Sequence, residues 1–297
     1  MKGIIAILFI GISTAFGQVG GESAYEFLNL PSSARAQYLG RAAMACNDGD
    51  ISLLNTNPAL LSDKMQKKAN ISSNFFFGAN ANHLEYVHHI AKFGNLGMGV
   101  HQMNYGPIQK TDEMGRVLGS INPMDLYINA QYAMPLDKYR IGANVKMIYS
   151  NLGSTSSYGC AMDIAIIHSD SSLSQTFGFL IKNFGGQIVQ FNANKEPLPF
   201  DIQFAYSKRF KHLPFRLTVL AHDLYRWDIT YDDPDRQTTN SFTNASTSNY
   251  SFLNNAFRHL SFSGEFYFGK VIRVGIGYDH QKRSELIFET NRGLAGF

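Results

Sequence analysis

Apolar and polar residues alternate along most of this chain. Met124, Leu126, Ile128, Ala130, Tyr132 and Met134 form one face of a segment whose other face is Asp125, Tyr127, Asn129 and Gln131. The pattern repeats with Ile141, Ala143, Val145, Met147 and Tyr149 against Asn144, Lys146 and Ser150, and with Phe200, Ile202, Phe204 and Tyr206 against Asp201, Gln203 and Ser207. Phe215, Leu217, Val219 and Ala221 oppose Arg216, Thr218 and His222; Ile272, Val274, Ile276 and Tyr278 oppose Arg273 and Asp279. A two-residue period belongs to strands, because successive side chains of a helix do not alternate sides. It predicts strands over 69–77, 83–91, 96–105, 124–134, 139–149, 158–167, 174–184, 200–210, 214–224, 258–268 and 270–280.

The joins between these segments differ in length. Those at 92–95, 135–138, 168–173, 211–213 and around Gly269 are tight, those at 106–123, 185–199 and 225–256 long and polar, and those at 78–82 and 151–157 intermediate. Strands of roughly ten residues with short turns at one end and long loops at the other describe an outer-membrane barrel. Mid-strand charges (Lys146, Glu265, Arg273) on the polar faces imply a polar enclosed interior. Aromatic residues near strand ends look like interfacial girdles: Tyr105, Tyr139, Tyr149, Phe184, Phe200, Phe210, Phe215, Tyr225, Trp227, Phe257 and Phe268. The expected fold is therefore all-β, a transmembrane antiparallel outer-membrane β-barrel with its long loops extracellular. Bacterial barrels use even strand numbers. Eleven strands, with Leu294, Ala295, Gly296 and Phe297 reading as the opening of a twelfth, predict about fourteen in a full-length protein that runs on for roughly forty residues.

The residues before the first strand read differently. Residues 1–17 have the Lys2 n-region, the apolar stretch Gly3 to Ile12 and the small residues of a secretory signal. Residues 18–68 are expected to plug the interior or cap it on the periplasmic side, and 69–297 to form the barrel with its last strands missing. Within the middle portion, Ser32 can cap a short helix over 32–46, and Asn57, Pro58, Ala59 and Leu60 form a turn with an extended residue before the proline. Net charge is +3, and the densest basic cluster, Lys64, Lys67 and Lys68, is too small for a nucleic-acid footprint. A mean hydropathy of −0.16 suits a barrel in which only alternate residues meet lipid.

Little in the sequence points to catalysis. Asp228, Asp232, Asp233 and Asp235 crowd the 225–256 loop without the spacing of a calcium loop and read as a solvated acidic stretch. Adjacent His88 and His89, and His222 beside Asp223, would point to opposite faces of a strand. No G-x-S-x-G occurs, and Gly94, Gly97 and Gly99 lie in a strand with no helix following. Cys46 falls in the helical segment and Cys160 on an apolar strand face, so neither a disulfide nor a metal site is expected. No cofactor is implied. Recognition is expected on the long loops, with Trp227, Asp232, Asp233, Asp235 and Tyr250 as partner-contact candidates, together with 106–123.

The block from Gly20 to Arg35, including Tyr25, Phe27, Leu28, Pro31, Ala34 and Arg35, resembles the mature N-terminus of the PorQ family. These are outer-membrane barrels of the type IX secretion system in Bacteroidota. The stretch from Asn55 to Leu61 resembles the NPA turn of FadL-like and PorV-like barrels, and Arg292 to Phe297 a late-strand PorQ motif that normally continues. The resemblance implies a non-enzymatic role: anchoring a PorZ-like surface protein in the attachment complex with the PorU sortase and PorV shuttle, where cargo is joined to anionic lipopolysaccharide. A FadL-like channel for hydrophobic small molecules and, more weakly, an outer-membrane hydrolase are the alternatives.

Overall fold

The structure is a computed structural model that describes residues 23–76, 78–90, 94–170, 172, 174–192, 194–229, 252–269 and 272–285. Its strands are β1 (Ala69–Phe76), β2 (Ala79–Ile90), β3 (Gly94–Asn104), β4 (Ile108–Thr111), β5 (Val117–Ile121), β6 (Met124–Leu136) and β7 (Tyr139–Asn151). They continue with β8 (Ser156–Ser169), β9 (Gln175–Val189), β10 (Asp201–Arg209), β11 (Phe215–Ala221), β12 (Leu260–Phe268) and β13 (Ile272–Asp279). Eleven of them make one antiparallel sheet in the order β1-β2-β3-β6-β7-β8-β9-β10-β11-β12-β13, each beside its chain neighbour. The fold is all-β, and these eleven are the eleven the alternation predicts.

Three joins differ from expectation. The long connection after β3 contains the β4–β5 hairpin, hidden in the sequence by Lys110, Asp112, Glu113 and Arg116. β9 runs on to Val189 because its register against β8 shifts between Met162 and Ile164. Asn183, in the left-handed region at φ 56°, takes up the extra residue of this bulge. The β1–β2 join is tight, since β2 starts at Ala79. The chain leaves β1, β3, β7, β9 and β11 at one end of the sheet and β2, β6, β8, β10 and β12 at the other, so the long connections after β3, β9 and β11 start from the same end.

The two faces of the sheet are sorted opposite to those of a water-soluble protein. Inward positions are polar and buried: Lys146 is 1% exposed, Gln131 1% and Glu265 0%. Large apolar side chains of the same strands point out, with Phe75 at 81%, Ile71 at 78% and Met147 at 64% exposure. Soluble monomers rarely expose contiguous apolar patches beyond a few hundred Å², whereas this face crosses all eleven strands. Tyr105 departs from the girdle reading: it turns inward and donates its hydroxyl to Asp125 Oδ2 at 2.5 Å. No helix among the described residues is long and apolar enough to cross a membrane.

The inner face is covered by the N-terminal segment. It winds through short 3-10 turns (Glu26–Asn29, Gly40–Ala45, Ile51–Thr56, Pro58–Leu60, Asp63–Met65) and one six-residue helix, α1 (Ala34–Leu39). The helix is shorter than the predicted 32–46 because Gly40, at φ 60°, ends it. Ser33, not Ser32, caps it, accepting from Ala36 N at 3.1 Å. Two further short helices, α2 (Phe252–Arg258) and α3 (His280–Glu285), sit at the long-loop end.

Part of the interior is apolar, which the polar faces alone did not foretell. Leu39, Met44, Leu53, Leu54, Leu60 and Met65 pack with Val87, Ala133, Ile167, Leu180 and Leu220 of the wall. Each buried Leu, Ile, Val or Met here contributes about 1.5–3 kcal/mol. Close approach depends on Gly142 in β7, where a Cβ would overlap the Pro58 and Ala59 backbone.

Candidate functional site

The seam between the N-terminal segment and the inner face of the sheet concentrates the polar chemistry. α1 directs Arg35 at the wall, 7% exposed. Its Nε and Nη2 donate to Glu265 Oε1 and Oε2 of β12 at 3.0 and 2.9 Å. Nη2 also reaches Asp48 Oδ2 at 2.6 Å, and Nη1 reaches Asp50 Oδ2 at 2.7 Å. Arg216 of β11 and Arg273 of β13 approach Asp48 Oδ2 at 3.1 and 3.5 Å, so three guanidiniums balance three carboxylates. Tyr38 and Tyr267 donate their hydroxyls to Glu265 at 2.7 and 2.5 Å.

This pairing decides the acidity of the segment's carboxyls. Burial pushes Asp48 up, but the Arg35 hydrogen bond and charge, with Arg216 and Arg273, outweigh it and bring it down to about 2. Asp50 is likewise lowered against its burial, by Arg35 and then by Ser52.

Tyr25, Phe27, Leu28 and Pro31 of the N-terminal motif also touch the sheet. Tyr25, left-handed at φ 62°, shares a hydrogen bond with the Ser157 hydroxyl of β8. Phe27 meets the Tyr127 ring at 5.7 Å, and Leu28 is buried. Pro31 O accepts from Asn74 Nδ2 of β1 at 2.8 Å, and Ala34, the first residue of α1, is exposed.

In the predicted turn, Asn57 is extended at φ −159° before Pro58, and its Oδ1 accepts from Ala59 N at 2.8 Å. Its Nδ2 donates to Met44 O at 2.9 Å, joining two turns of the segment; Leu60 enters the core. Asn57→Ala removes the cap and strands a buried carbonyl, and is expected to cost about 1–3 kcal/mol. A thermal melt in detergent checks this, and an unchanged midpoint would refute the role.

His222 and Asp223 are not held apart as strand alternation predicts. β11 ends at Ala221 and Asp223 is left-handed at φ 53°, so Asp223 Oδ2 lies 2.8 Å from His222 Nδ1 and also 2.8 Å from Arg41 Nη1. Lys146, buried in β7, donates to Asp163 Oδ1 and Asn183 Oδ1 at 2.9 and 2.8 Å.

Of the partner-contact candidates, Trp227 is half exposed at the long-loop end. It stacks on Phe252 at 4.9 Å and on His259 at 5.6 Å. Asp232, Asp233, Asp235 and Tyr250 lie outside the described residues.

Sequence reasoning placed Glu265 and Arg273 inward but missed their partners in the N-terminal segment. Among the described residues, no group of three His, Cys, Asp or Glu side chains is disposed to hold a metal ion. No protein-family model and no curated protein matches the chain.

Proposed function

We propose that the sheet is the wall of an outer-membrane β-barrel whose N-terminal segment plugs the interior. The protein would act without catalysis, as a surface-complex anchor of the PorQ type in type IX secretion. The observation that carries the membrane reading is the inverted sorting of the faces: charged and amide side chains inside, large apolar ones outside across eleven strands. Lipid is the solvent that favours such a surface. Among the described residues β1 and β13 are the edges of the sheet; in the barrel reading both are paired, because an open edge cannot face hydrocarbon.

The anchoring role rests on the resemblance of the N-terminal block and on the asymmetry of the loops. A partner would meet Trp227 at the long-loop end of the sheet, the end that also carries the β4–β5 hairpin. A segment tied to the wall by ion pairs weighs against the channel alternative, since transport would have to break them.

Deleting residues 232–250 is expected to leave the barrel folded, judged by heat-dependent mobility on gels, while a PorZ-like partner no longer co-purifies from membranes. Unchanged recovery of that partner would overturn the loop assignment. Failure of any such partner to co-purify with the intact protein would overturn the anchoring role.

A further inference from the structure

On the inner face of β2, β3 and β6, unpaired polar atoms gather at one place. Both carboxylate oxygens of Glu85, the Nε2 atoms of His83 and His101, Asn129 Oδ1 and Gln131 Oε1 are buried without a hydrogen-bond partner. Their side chains are all more than nine-tenths buried, Glu85 and His101 at 1% exposure. Native interiors leave few polar atoms unpaired, and a lone buried carboxylate is the costliest kind.

Register explains the convergence. Glu85, Gly99 and Asn129 share one row across the three strands, and His83, His101 and Tyr127 the next. Gly99 has no side chain, and a Cβ there would lie 3.0 Å from His101 Nε2 and overlap Asn129 Oδ1. Both atoms therefore lean over the glycine that faces Glu85. His101 Nε2 stands 3.6 Å from Glu85 Oε1. That is too long for a hydrogen bond, but it suits two ligands of one ion, which sit roughly 3.3–3.6 Å apart when each bond is about 2.0–2.2 Å.

The imidazole is also oriented from behind. His101 Nδ1 lies 2.5 Å from His83 Nδ1, and its ring stacks on Tyr127 at 4.3 Å and 12°. If His101 donates that Nδ1 proton to His83, its Nε2 keeps a lone pair, the arrangement usual behind a metal-bound histidine. Five of the six unpaired atoms are then acceptors, a set that a cation would satisfy. Lys146, next in the row of Glu85, is already taken by Asp163 and Asn183.

We propose that Glu85, His101 and Asn129 bind one divalent transition-metal ion of the zinc type, with Gln131 accepting from a water on it. Imidazole and carboxylate are ligands of that class, and the amide oxygen adds a weaker third donor. The inference does not depend on the membrane reading.

Elemental analysis of wild-type protein, purified in detergent without chelator and then incubated with zinc chloride, should find one zinc per chain. X-ray absorption should show a nitrogen and oxygen shell at about 2.0–2.1 Å with imidazole scattering. Glu85→Gln and His101→Phe should each weaken zinc binding at least about tenfold, while exposed His88→Phe leaves it unchanged. Zinc-free wild-type protein after incubation would overturn the proposal and leave the cluster to water. A sulfur shell would overturn it by moving the ion to a cysteine. The wild-type measurements decide the matter even if a variant fails to fold.

Discussion

Val145→Arg is expected to lower folding stability in lipid vesicles by about 2–4 kcal/mol, the cost of a cation near the bilayer midplane. Val145 stands at the middle of the thirteen residues of β7, 49% exposed, paired with Ala130 and Met162. On a water-soluble protein, a half-exposed valine replaced by arginine changes stability within about 0.5 kcal/mol. The two solvents thus predict results several-fold apart for one substitution. Denaturant titration of vesicle-folded protein reads the difference, and a neutral outcome would remove the main support for a lipid-facing wall.

Arg35→Met is expected to cost about 3 kcal/mol, the lower end of what is lost when one member of a buried ionic cluster is removed. Arg216 and Arg273 remain within reach of Asp48 and temper the loss, but the Glu265 oxygens lose their bidentate partner. The wild-type protein should also be acid-sensitive in a defined window. Asp48 and Asp50 bind protons less readily folded than unfolded, so their contribution is complete above their ordinary value of 3.8. It is lost as pH falls toward the Asp48 value of about 2. At about 1.4 kcal/mol per unit, Asp48 alone supplies roughly 2 kcal/mol across that window. In Arg35→Met the stability curve should be flatter there. Chemical denaturation at stepped pH measures both effects, and parallel curves for the two proteins would contradict the assignment.

How much of this was legible depended on range. The eleven strands of the sheet were readable because a two-residue period is a local property, and the same period put Lys146, Glu265 and Arg273 inside. It failed where the chain leaves the pleat. His222 and Asp223 meet because Asp223 lies beyond the last residue of β11, and β9 outran its prediction because a bulge at Asn183 let it continue. The β4–β5 hairpin was masked by charged residues that make a loop and an exposed ribbon look alike.

The interior was the least visible part. Arg35 and Glu265 are 230 positions apart, and nothing periodic in the N-terminal segment specifies which wall residue it will meet. The Glu85 and His101 cluster escaped for a related reason: three strands had to be brought into register before Gly99 could leave room above itself.

That long separation also orders events during assembly. Each strand of the meander can zip onto the one before it by closing a far shorter loop, whereas the clasp of Arg35 on Glu265 spans 230 positions and needs β12 in place. The N-terminal segment must therefore wait, its charges hydrated, until β12 arrives to fasten it.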